Sequence, residues 1–231
     1  MKYLIIGASA AGISAAQRLR EVDDKADITV ISKDEEVYSR CMLHYLIAGE
    51  RDLAGLKFIP NNFWAQYDIE WIKGTEVKEV KVDDRYVELA DESQYSYDKL
   101  LIATGSTPFF PPIDGLEQGK EVFGLRDLAD AQEIAQLGAE IEEAAVIGAG
   151  LVGMDAAVGL HELGLDVSVV EFEDRILPRQ LDEEASARYQ SRFEEAGIDI
   201  ITERGAQEII TDEDNHVQGL NLDNGREISA Q

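Results

Sequence analysis

Apolar residues in this chain of 231 residues occur in short runs, separated by longer stretches with helical spacing. Three runs in the first half are almost continuously apolar, which is typical of strands buried in a parallel sheet; they are Tyr3–Ile6, Ile28–Ser32 and Leu100–Ala103. Three others alternate apolar and polar residues and predict an antiparallel excursion from that sheet; they are Ile69–Lys73, Val77–Val82 and Tyr86–Ala90. With helices predicted after Gly12 and from near Ser39, the first half is expected to be an α/β unit.

The second half repeats the start of this order. Its predicted strands are Ala144–Ile147, Val167–Glu171 and Ile198–Thr202. Its predicted helices are Leu128–Leu137 and Glu183–Ala196. Gly197 follows the last helix at a position suited to a C-cap. Asn224-Gly225 predicts a hairpin turn between strands Val217–Leu222 and Glu227–Ser229.

The two halves differ in one predicted strand. In the first half the antiparallel excursion leads into Leu100–Ala103, whereas in the second half the chain reaches Gln231 after the excursion. We therefore expect a fragment of a larger protein, with a second unit that lacks its last strand. The proline-rich stretch Pro108–Gly115 is expected to be an extended linker, which places the first unit at residues 1–112 and the second at residues 113–231.

Composition indicates a folded protein and narrows its partners. Hydrophobic residues make up 45% of the chain, enough for a core, and no apolar run is long enough to span a bilayer. The net charge of −26 is divided into −6 for residues 1–112 (13 basic, 19 acidic) and −20 for residues 113–231 (8 basic, 28 acidic). This charge repels nucleic acid and anionic membranes, so neither is expected as a partner. The single cysteine cannot form an internal disulfide and favours a reducing cytoplasm.

Two glycine-rich turns, which begin at Gly7 and Gly148, carry most of the functional information. The first lies in KYLIIGASAAGISAA and the second in AAVIGAGLVGMDAA. Each follows a predicted strand and opens a predicted helix. In that setting small residues let backbone N–H groups approach a pyrophosphate, and the helix N-terminus adds positive potential. Two such turns predict two dinucleotides on one protein, and therefore electron transfer between them.

Four segments resemble, in their order along the chain, the FAD/NAD-dependent pyridine nucleotide–disulfide oxidoreductase superfamily; they are GASAAGISAA, LLIATGSTP, GAGLVGMDAA and VVEFEDRILP. A fifth, YSRCMLHYLIAGE, is similar to a segment of NADH-dependent rubredoxin reductases, nitrite reductase large subunits and the coenzyme A disulfide reductase/NADH oxidase group. The resemblance implies two Rossmann-like domains: the first part of an FAD-binding domain at 1–112, and an NAD-binding domain lacking its last strand at 113–231. It also implies FAD and NAD as cofactors and a homodimer for the full-length protein.

By this resemblance the FAD site is expected at the first turn and at nearby strand ends. Ser9 stands where a glycine is usual, and Ser32 stands where a carboxylate usually binds the ribose. The expected FAD-binding residues are Gly7, Ser9, Ala11, Gly12, Ser32, Lys33, Arg40, Val77, Ala103, Thr104 and Gly105. Taken alone, Val77 is equally consistent with core packing, and Thr104-Gly105 with a turn that ends a strand.

The second turn matches the full dinucleotide fingerprint. The expected NAD-binding residues are Gly148, Gly150, Leu151, Val152, Gly153 and Glu171. Glu171 follows Gly153 by 18 residues and ends a predicted strand, so its carboxylate is expected to accept hydrogen bonds from the ribose and to repel the 2′-phosphate of NADP. We therefore predict NADH over NADPH. Asp155 takes the place of a frequent family glutamate near the nicotinamide, or else is a solvated helix residue.

Cys41 is the candidate catalytic residue, because it aligns with the redox cysteine of the coenzyme A disulfide reductase group. In the first turn of a helix capped by Ser39, with Arg40 beside it, its thiolate would be stabilised. His44 would face the same side of that helix. The same segment also fits reductases that need no cysteine there, and a lone cysteine is often a small buried hydrophobe. The sequence has neither a Cys-x-x-Cys pair nor a His and Cys cluster at metal-ligand spacing.

These expectations combine into one function with two alternatives. We predict an NADH-dependent FAD oxidoreductase, in which hydride passes from nicotinamide to flavin. Electrons then leave to an acceptor that the sequence does not name: a small redox protein, oxygen or peroxide, or a nitrite-type partner domain. The first alternative is a disulfide reductase that uses Cys41. The second is a nucleotide-binding fragment without catalysis.

Overall fold

The computed structural model describes all residues, Met1–Gln231, and they form two compact units. The first unit comprises Met1–Arg40 and Leu53–Thr107, and the second comprises Cys41–Asp52 and Pro108–Gln231. These bounds depart from the predicted domains at residues 41–52 and 108–112; the assignment of an FAD-binding and an NAD-binding domain stays a prediction. None of the helices combines the length and apolar character that a membrane span needs.

The elements follow one another in the α/β order that the apolar runs predict. In the first part of the chain they are β1 (Lys2–Ile6), α1 (Ala10–Val22), β2 (Asp27–Ile31), a 3-10 turn (Arg40–Met42), α2 (Leu43–Ile47), α3 (Leu53–Leu56), α4 (Phe63–Gln66), β3 (Glu70–Ile72), β4 (Val77–Lys81), β5 (Tyr86–Leu89), β6 (Gln94–Ser96) and β7 (Lys99–Ile102). In the rest they are α5 (Leu128–Gly138), β8 (Glu143–Ile147), α6 (Leu151–Leu163), β9 (Asp166–Val170), α7 (Glu183–Ala196), β10 (Asp199–Ile201), β11 (Ala206–Thr211), β12 (Val217–Leu222) and β13 (Glu227–Ser229).

The first unit is built on a parallel sheet with the strand order β3-β2-β1-β7, and β4, β5 and β6 form a separate antiparallel sheet. Side chains that alternate along β1 explain why both of its faces are buried. Ile5 packs with Ile13 of α1 in one core. Leu4, from the other face, packs with Val87 and Leu89 of the antiparallel sheet in a second core.

The second unit has a parallel sheet with the order β10-β9-β8 and an antiparallel sheet with the order β11-β12-β13. Its buried residues Val170, Leu220 and Leu222 belong to one core. The N-cap of helix α7 is Asp182, whose side chain accepts a hydrogen bond from the N–H of Ala185 at 2.9 Å. The helix ends at Gly197 with φ +107°, which confirms the predicted C-cap.

Two strands of the first unit differ from the sequence predictions. The alternation in Ile69–Lys73 predicts a strand of the antiparallel excursion, but β3 lies parallel to β2, with Trp71 opposite Val30. Trp71 packs against the core of the parallel sheet, and this burial favours pairing of the short strand β3 with β2. Strand β7, expected to be buried, leaves Leu101 39% and Ile102 61% exposed. The reason is its position, since β7 is the edge strand of its sheet.

Two segments explain where the compact units divide. Helix α2 packs against α5 and α6 of the second unit, and its Leu43 and Ile47 are buried. The segment Cys41–Asp52 therefore belongs to that unit although both neighbouring segments belong to the first. The predicted linker Pro108–Gly115 contains no helix or strand, but Asp114 forms a bridge with Glu208 of β11.

Candidate dinucleotide-binding turns

The first turn joins β1 to α1 and requires two glycines. Gly7 has a φ of +109°, which L side chains rarely adopt, and its N–H donates to the carbonyl of Ile31 at 2.7 Å. A Cβ on Gly7 would overlap the carbonyl oxygen of Ala103, and a Cβ on Gly12 would overlap the carbonyl oxygen of Gly7. Ser9 is the N-cap of α1, with an extended backbone and a side chain that makes no capping hydrogen bond.

The second turn, between β8 and α6, repeats this geometry. Gly148 has a φ of +102°, and its N–H donates to the carbonyl of Val170 at 2.7 Å. A Cβ on Gly153 would overlap the carbonyl oxygen of Gly148, so only glycine lets α6 start this close to β8. Gly150 is the N-cap, and a Cβ on Gly148 or Gly150 would meet no atom within 4 Å. This open space beside a helix N-terminus is a cradle that suits a diphosphate.

Glu171 follows β9 and contacts the second turn. One carboxylate oxygen accepts the N–H of Ala149 at 2.7 Å, and the other accepts the N–H of Glu173 at 2.9 Å. The residue is only 9% exposed. Each carboxylate oxygen has two lone pairs, so Glu171 can hold the turn and still accept hydrogen bonds from a ribose.

Ser32 follows β2 in the position that matches Glu171, but its hydroxyl is used inside the first unit. The hydroxyl donates to the carbonyl of Asp34 at 3.0 Å and accepts the indole N–H of Trp71 at 3.1 Å. Ser32 is only 4% exposed. These hydrogen bonds connect the end of β2 to β3. Because the hydroxyl proton is donated to Asp34, it is not available for a ribose oxygen.

Arg40 and Lys33 lie on the segment that follows β2. The Arg40 guanidinium lies 2.6 Å from the carboxylate of Asp34 and donates to the hydroxyl of Tyr38 at 2.9 Å. Its side chain is 16% exposed, whereas Lys33 is exposed. Arg40 therefore orders this segment through Asp34, in addition to any role toward a phosphate.

The other predicted flavin-site residues lie at two separate places. The N–H of Ala103 donates to the carbonyl of Ile6 at 2.8 Å, so Ala103 lies at the first turn. Thr104 and Gly105 follow it and are exposed. Val77 is the half-buried first residue of β4 in the antiparallel sheet. The structure thus brings Ala103 next to Gly7 and keeps Val77 in a different sheet.

Three predicted contact residues lie in the first turns of the two helices. Ala11 is exposed on α1. Leu151 and Val152 on α6 are each 57% exposed although they are apolar. Exposed apolar side chains beside a polar cradle are typical of a nucleotide site, whose lining is mostly apolar.

Cys41 differs from its prediction. It lies in the 3-10 turn Arg40–Met42, and α2 begins after it with Met42 as the N-cap. The prediction that Ser39 caps a helix over Cys41 is therefore wrong. The N–H of Ser39 instead donates to the carbonyl of Leu56 at 2.9 Å. Cys41 is an exposed, free cysteine, so its thiol is accessible.

Sequence reasoning missed a polar pair where α2 packs on α6. His44 Nδ1 lies 3.9 Å from a carboxylate oxygen of Asp155. Burial raises the pKa of Asp155, and nearby His44 acts in the opposite direction. Gly159 is the signal that could have located this contact, because a Cβ there would lie 2.8 Å from the backbone oxygen of His44. A glycine inside a helix often marks such a close approach.

A second carboxyl group on α6 titrates in the same direction. Burial raises the pKa of Glu162, and a hydrogen bond with the side chain of Glu50 raises it further. Both carboxyl groups of this helix therefore hold their protons more strongly than they would in water.

Comparison with known proteins agrees with this geometry. The family model described as pyridine nucleotide-disulphide oxidoreductase matches residues 1–231. The NADH-dependent phenylglyoxylate dehydrogenase subunit epsilon of Aromatoleum evansii is 33% identical over 230 residues, which cover 99% of this chain and 54% of that protein. The NADH oxidase of Methanocaldococcus jannaschii is 33% identical over 221 residues, which cover 91% of this chain and 49% of that protein.

A solved structure shows the same fold. The NAD-dependent persulfide reductase from A. fulgidus matches 100% of this chain and 44% of its own, with a TM-score of 0.91 at 30% identity. The chain thus spans about half the length of each of these three relatives.

Proposed function

The chain belongs to the pyridine nucleotide-disulphide oxidoreductase family, and from that premise we propose that it is the dinucleotide-binding part of an NADH-dependent flavin oxidoreductase. Family membership implies FAD and NAD(H) as cofactors. When bound, they supply hydride transfer between nicotinamide and flavin. The tasks of this chain are to bind the two groups, orient them and discriminate between related nucleotides.

The first turn is assigned to the pyrophosphate of FAD. Gly7, Ser9 and Gly12 shape the turn, and Ala11 lies in the first turn of α1, a helix of 13 residues whose N-terminus favours an anion. The residues assigned to the rest of FAD are Lys33 and Arg40 after β2, Ala103, Thr104 and Gly105 after β7, and Val77 on β4. Ser32 is assigned mainly to the shape of the β2 end, because its hydroxyl proton is donated to Asp34; its second lone pair can still accept one hydrogen bond from the ribose.

The second turn is assigned to NADH. Gly148, Gly150 and Gly153 leave room for the pyrophosphate, and Leu151 and Val152 offer apolar contact. The carboxylate of Glu171 accepts hydrogen bonds from the ribose hydroxyl groups with its remaining lone pairs. Its charge, with Glu173 and Asp174 beside it in the sequence, disfavours a 2′-phosphate. We therefore expect NADH to bind more tightly than NADPH.

One observation carries the proposal: the same glycine-shaped turn, followed by a helix of 13 residues, occurs once in each unit. The test is purification of the chain with added FAD, followed by anaerobic titration with NADH and with NADPH. We expect bound oxidised flavin whose absorbance is bleached by NADH at lower concentration than by NADPH. A protein that takes up no FAD, or whose bound flavin NADH does not bleach, would contradict the proposal and support a binding module without catalysis.

The electron acceptor is open to two candidates. The names of the relatives point to different acceptors, since one is an NADH oxidase and another a persulfide reductase. We favour transfer to a separate redox protein or to oxygen, because Cys41 lies in a 3-10 turn of three residues and not in the first turn of a helix capped by Ser39. The exposure of Cys41 supports a thiol-dependent disulfide reductase as the second candidate. A Cys41→Ser variant of the full-length protein should keep NADH oxidation with every acceptor; loss of activity with disulfides alone would favour the second candidate.

Three further assignments follow from the resemblance and from composition. We propose residues 1–112 and 113–231 as the FAD-binding and NAD-binding domains, with Cys41–Asp52 packing in the second compact unit. We also propose a cytoplasmic location, since the chain has one cysteine and no disulfide. The full-length protein is expected to be a homodimer, which sedimentation velocity can test.

A further inference from the structure

Ala149, the residue between the first two glycines of the second turn, is bonded on both sides of the backbone. Its N–H donates to Glu171 at 2.7 Å, and its carbonyl oxygen accepts the N–H of Leu177 at 2.8 Å. Ala149 is fully buried. The segment Glu171–Leu177 therefore fixes the peptide groups on both sides of Ala149, and through them the direction of the neighbouring amides in the turn.

Leu177 needs support to make this contact. Its φ is +49°, in the left-handed region that a residue such as leucine rarely adopts. Such a backbone persists only where the surroundings hold it. Leu177 itself is 7% exposed, and the preceding Ile176 is fully buried, so the apolar packing of both side chains supplies part of that support.

Ser186 on α7 supplies a polar contact to the same segment. Its hydroxyl donates to the carbonyl oxygen of Ile176 at 2.7 Å, and Ser186 is fully buried. A serine inside a helix commonly points into solvent or bonds the carbonyl four residues earlier in its own helix. Ser191, one and a half turns later on α7, does this by donating to Ala187 at 3.0 Å. Ser186 instead reaches out of its helix.

The bonds form a continuous path through the second unit. The Ser186 hydroxyl holds the Ile176 carbonyl, which belongs to the peptide whose N–H is that of Leu177. That N–H holds Ala149, and Ala149 is held from its other side by Glu171. A change at Ser186 therefore acts on the turn through a single peptide group.

We propose that Ser186 is a positioning residue for the dinucleotide turn, which it holds through the Ile176–Leu177 peptide so that the turn is shaped before NADH binds. The proposal rests on the proposed assignment of this turn to NADH. It adds a residue of α7 that the sequence motifs do not mark. A preformed turn strengthens binding because the ordering cost is met when the protein folds rather than when the ligand binds.

The test compares Ser186→Ala with Ser191→Ala, a matched control that removes a hydroxyl from the same helix. Hydrogen exchange of peptides covering residues 148–152 is measured without nucleotide, and NADH affinity is measured by titration. For Ser186→Ala we expect about three- to tenfold faster exchange at the turn and an NADH dissociation constant raised by a similar factor, the size expected from one lost buried hydrogen bond. Exchange in the β12–β13 hairpin and FAD affinity should not change. Ser191→Ala should match the wild type in every measurement.

Several results would overturn the proposal. One is that Ser186→Ala exchanges at the turn at the same rate as Ser191→Ala. Another is that exchange in Ser186→Ala is faster evenly over the whole second unit, which would indicate general destabilisation. If Ser186→Ala does not fold, Ser186→Cys, with a weaker donor of similar size, is measured in the same way and should be intermediate between the wild type and full loss of protection. The exchange readout needs no nucleotide. Failure of the wild type to bind NADH would therefore count against the proposed function, whereas normal NADH binding with unchanged exchange would count against Ser186 alone.

Discussion

In both units a glycine with positive φ follows a strand of the parallel sheet, and another glycine five residues later lets a helix of 13 residues start against that strand. Gly7 and Gly12 do this in the first unit, and Gly148 and Gly153 do it in the second. The N–H of the first glycine donates to the last residue of the neighbouring strand at 2.7 Å in both turns. The backbone plan is therefore the same in the two units.

The supports of the two turns differ. In the first unit β7 lies beside β1, and the Ala103 carbonyl that follows it lies against Gly7. In the second unit β8 is an edge strand, and nothing lies within 4 Å of a Cβ placed on Gly148. There the carboxylate of Glu171 and the N–H of Leu177 hold Ala149 instead.

One sequence pattern is therefore stabilised in two different ways. In the first turn the residues after the flanking strand β7 pack against Gly7, whereas in the second turn side-chain and backbone hydrogen bonds fix Ala149 and leave the space beside Gly148 open. Glycines that look equivalent in the sequence should therefore respond unequally to substitution, and the residues after β2 and β9 should have unequal roles.

The largest effect is expected at Gly7, and Gly148 is the position to compare it with. Gly148→Ala should cost backbone strain alone, about 1–2 kcal/mol, because no atom lies near the added Cβ. Gly7→Ala should cost about 1–3 kcal/mol more, because its Cβ also overlaps the Ala103 carbonyl. Chemical denaturation of both variants measures the difference, and Gly164→Ala, with φ +107° and an open neighbourhood, is the control for strain alone. Equal losses in the free energy of unfolding for Gly7→Ala and Gly148→Ala would show that the Ala103 carbonyl does not restrict the first turn.

The second effect concerns the glycine at the start of each helix. Gly12→Ala and Gly153→Ala place a Cβ on the backbone oxygen of the first glycine of the same turn, Gly7 or Gly148, so each should cost about 1–3 kcal/mol from overpacking. Each should also weaken only the ligand of its own unit. Thermal unfolding and separate titrations with FAD and NADH measure this. Gly150→Ala is the matched control: its neighbourhood is open and its φ is −76°, so it should keep its stability and lose NADH affinity.

The third effect separates Glu171 from Ser32. Glu171→Gln places an amide where two backbone N–H groups need acceptors, so we expect a loss of about 1–2 kcal/mol and about tenfold weaker NADH binding. Its preference for NADH over NADPH should also fall. Ser32→Ala should lower stability through its lost bonds to Asp34 and Trp71 but change FAD affinity less than about threefold. Titration of Glu171→Gln with NADH and NADPH, and of Ser32→Ala with FAD, measures these changes in affinity. A large loss of FAD affinity in Ser32→Ala would restore its predicted contact with the ribose.

The smallest effect is expected from pH. Because burial raises the pKa of Asp155 above its ordinary value of 3.8, its contribution to stability is present below that value and is lost as pH rises through the folded-state pKa. Asp155→Asn should therefore be slightly more stable than the wild type at neutral pH and no more stable at pH 3.5. Thermal unfolding of both proteins across this range measures the sign. A variant that is less stable at neutral pH would show that the contact with His44 outweighs burial.

Local patterns in the sequence predict the features whose causes are local. The helix Glu183–Ala196 and the hairpin strands Val217–Leu222 and Glu227–Ser229 have the predicted bounds, because a cap and a turn residue define them. The two glycine turns are also predicted, since a strand, a turn and a helix that follow one another leave a compact signature.

Features that depend on distant residues were not predicted. The direction of β3 depends on pairing with Thr29–Ile31 and on the packing of Trp71, neither of which a strand of three residues encodes. The placement of α2 in the second unit depends on α5 and α6, which lie far along the chain. The path from Ser186 to Ala149 joins residues 37 positions apart, and no spacing rule marks it.

The central claim is that each turn holds its own dinucleotide, and native mass spectrometry tests it most directly. The wild type, Gly12→Ala and Gly153→Ala are each measured with FAD and NADH under conditions in which all three remain folded. The account predicts one FAD and one NADH per chain for the wild type, loss of FAD alone in Gly12→Ala and loss of NADH alone in Gly153→Ala. A wild type that holds a single dinucleotide, or variants that lose the same ligand, would contradict it.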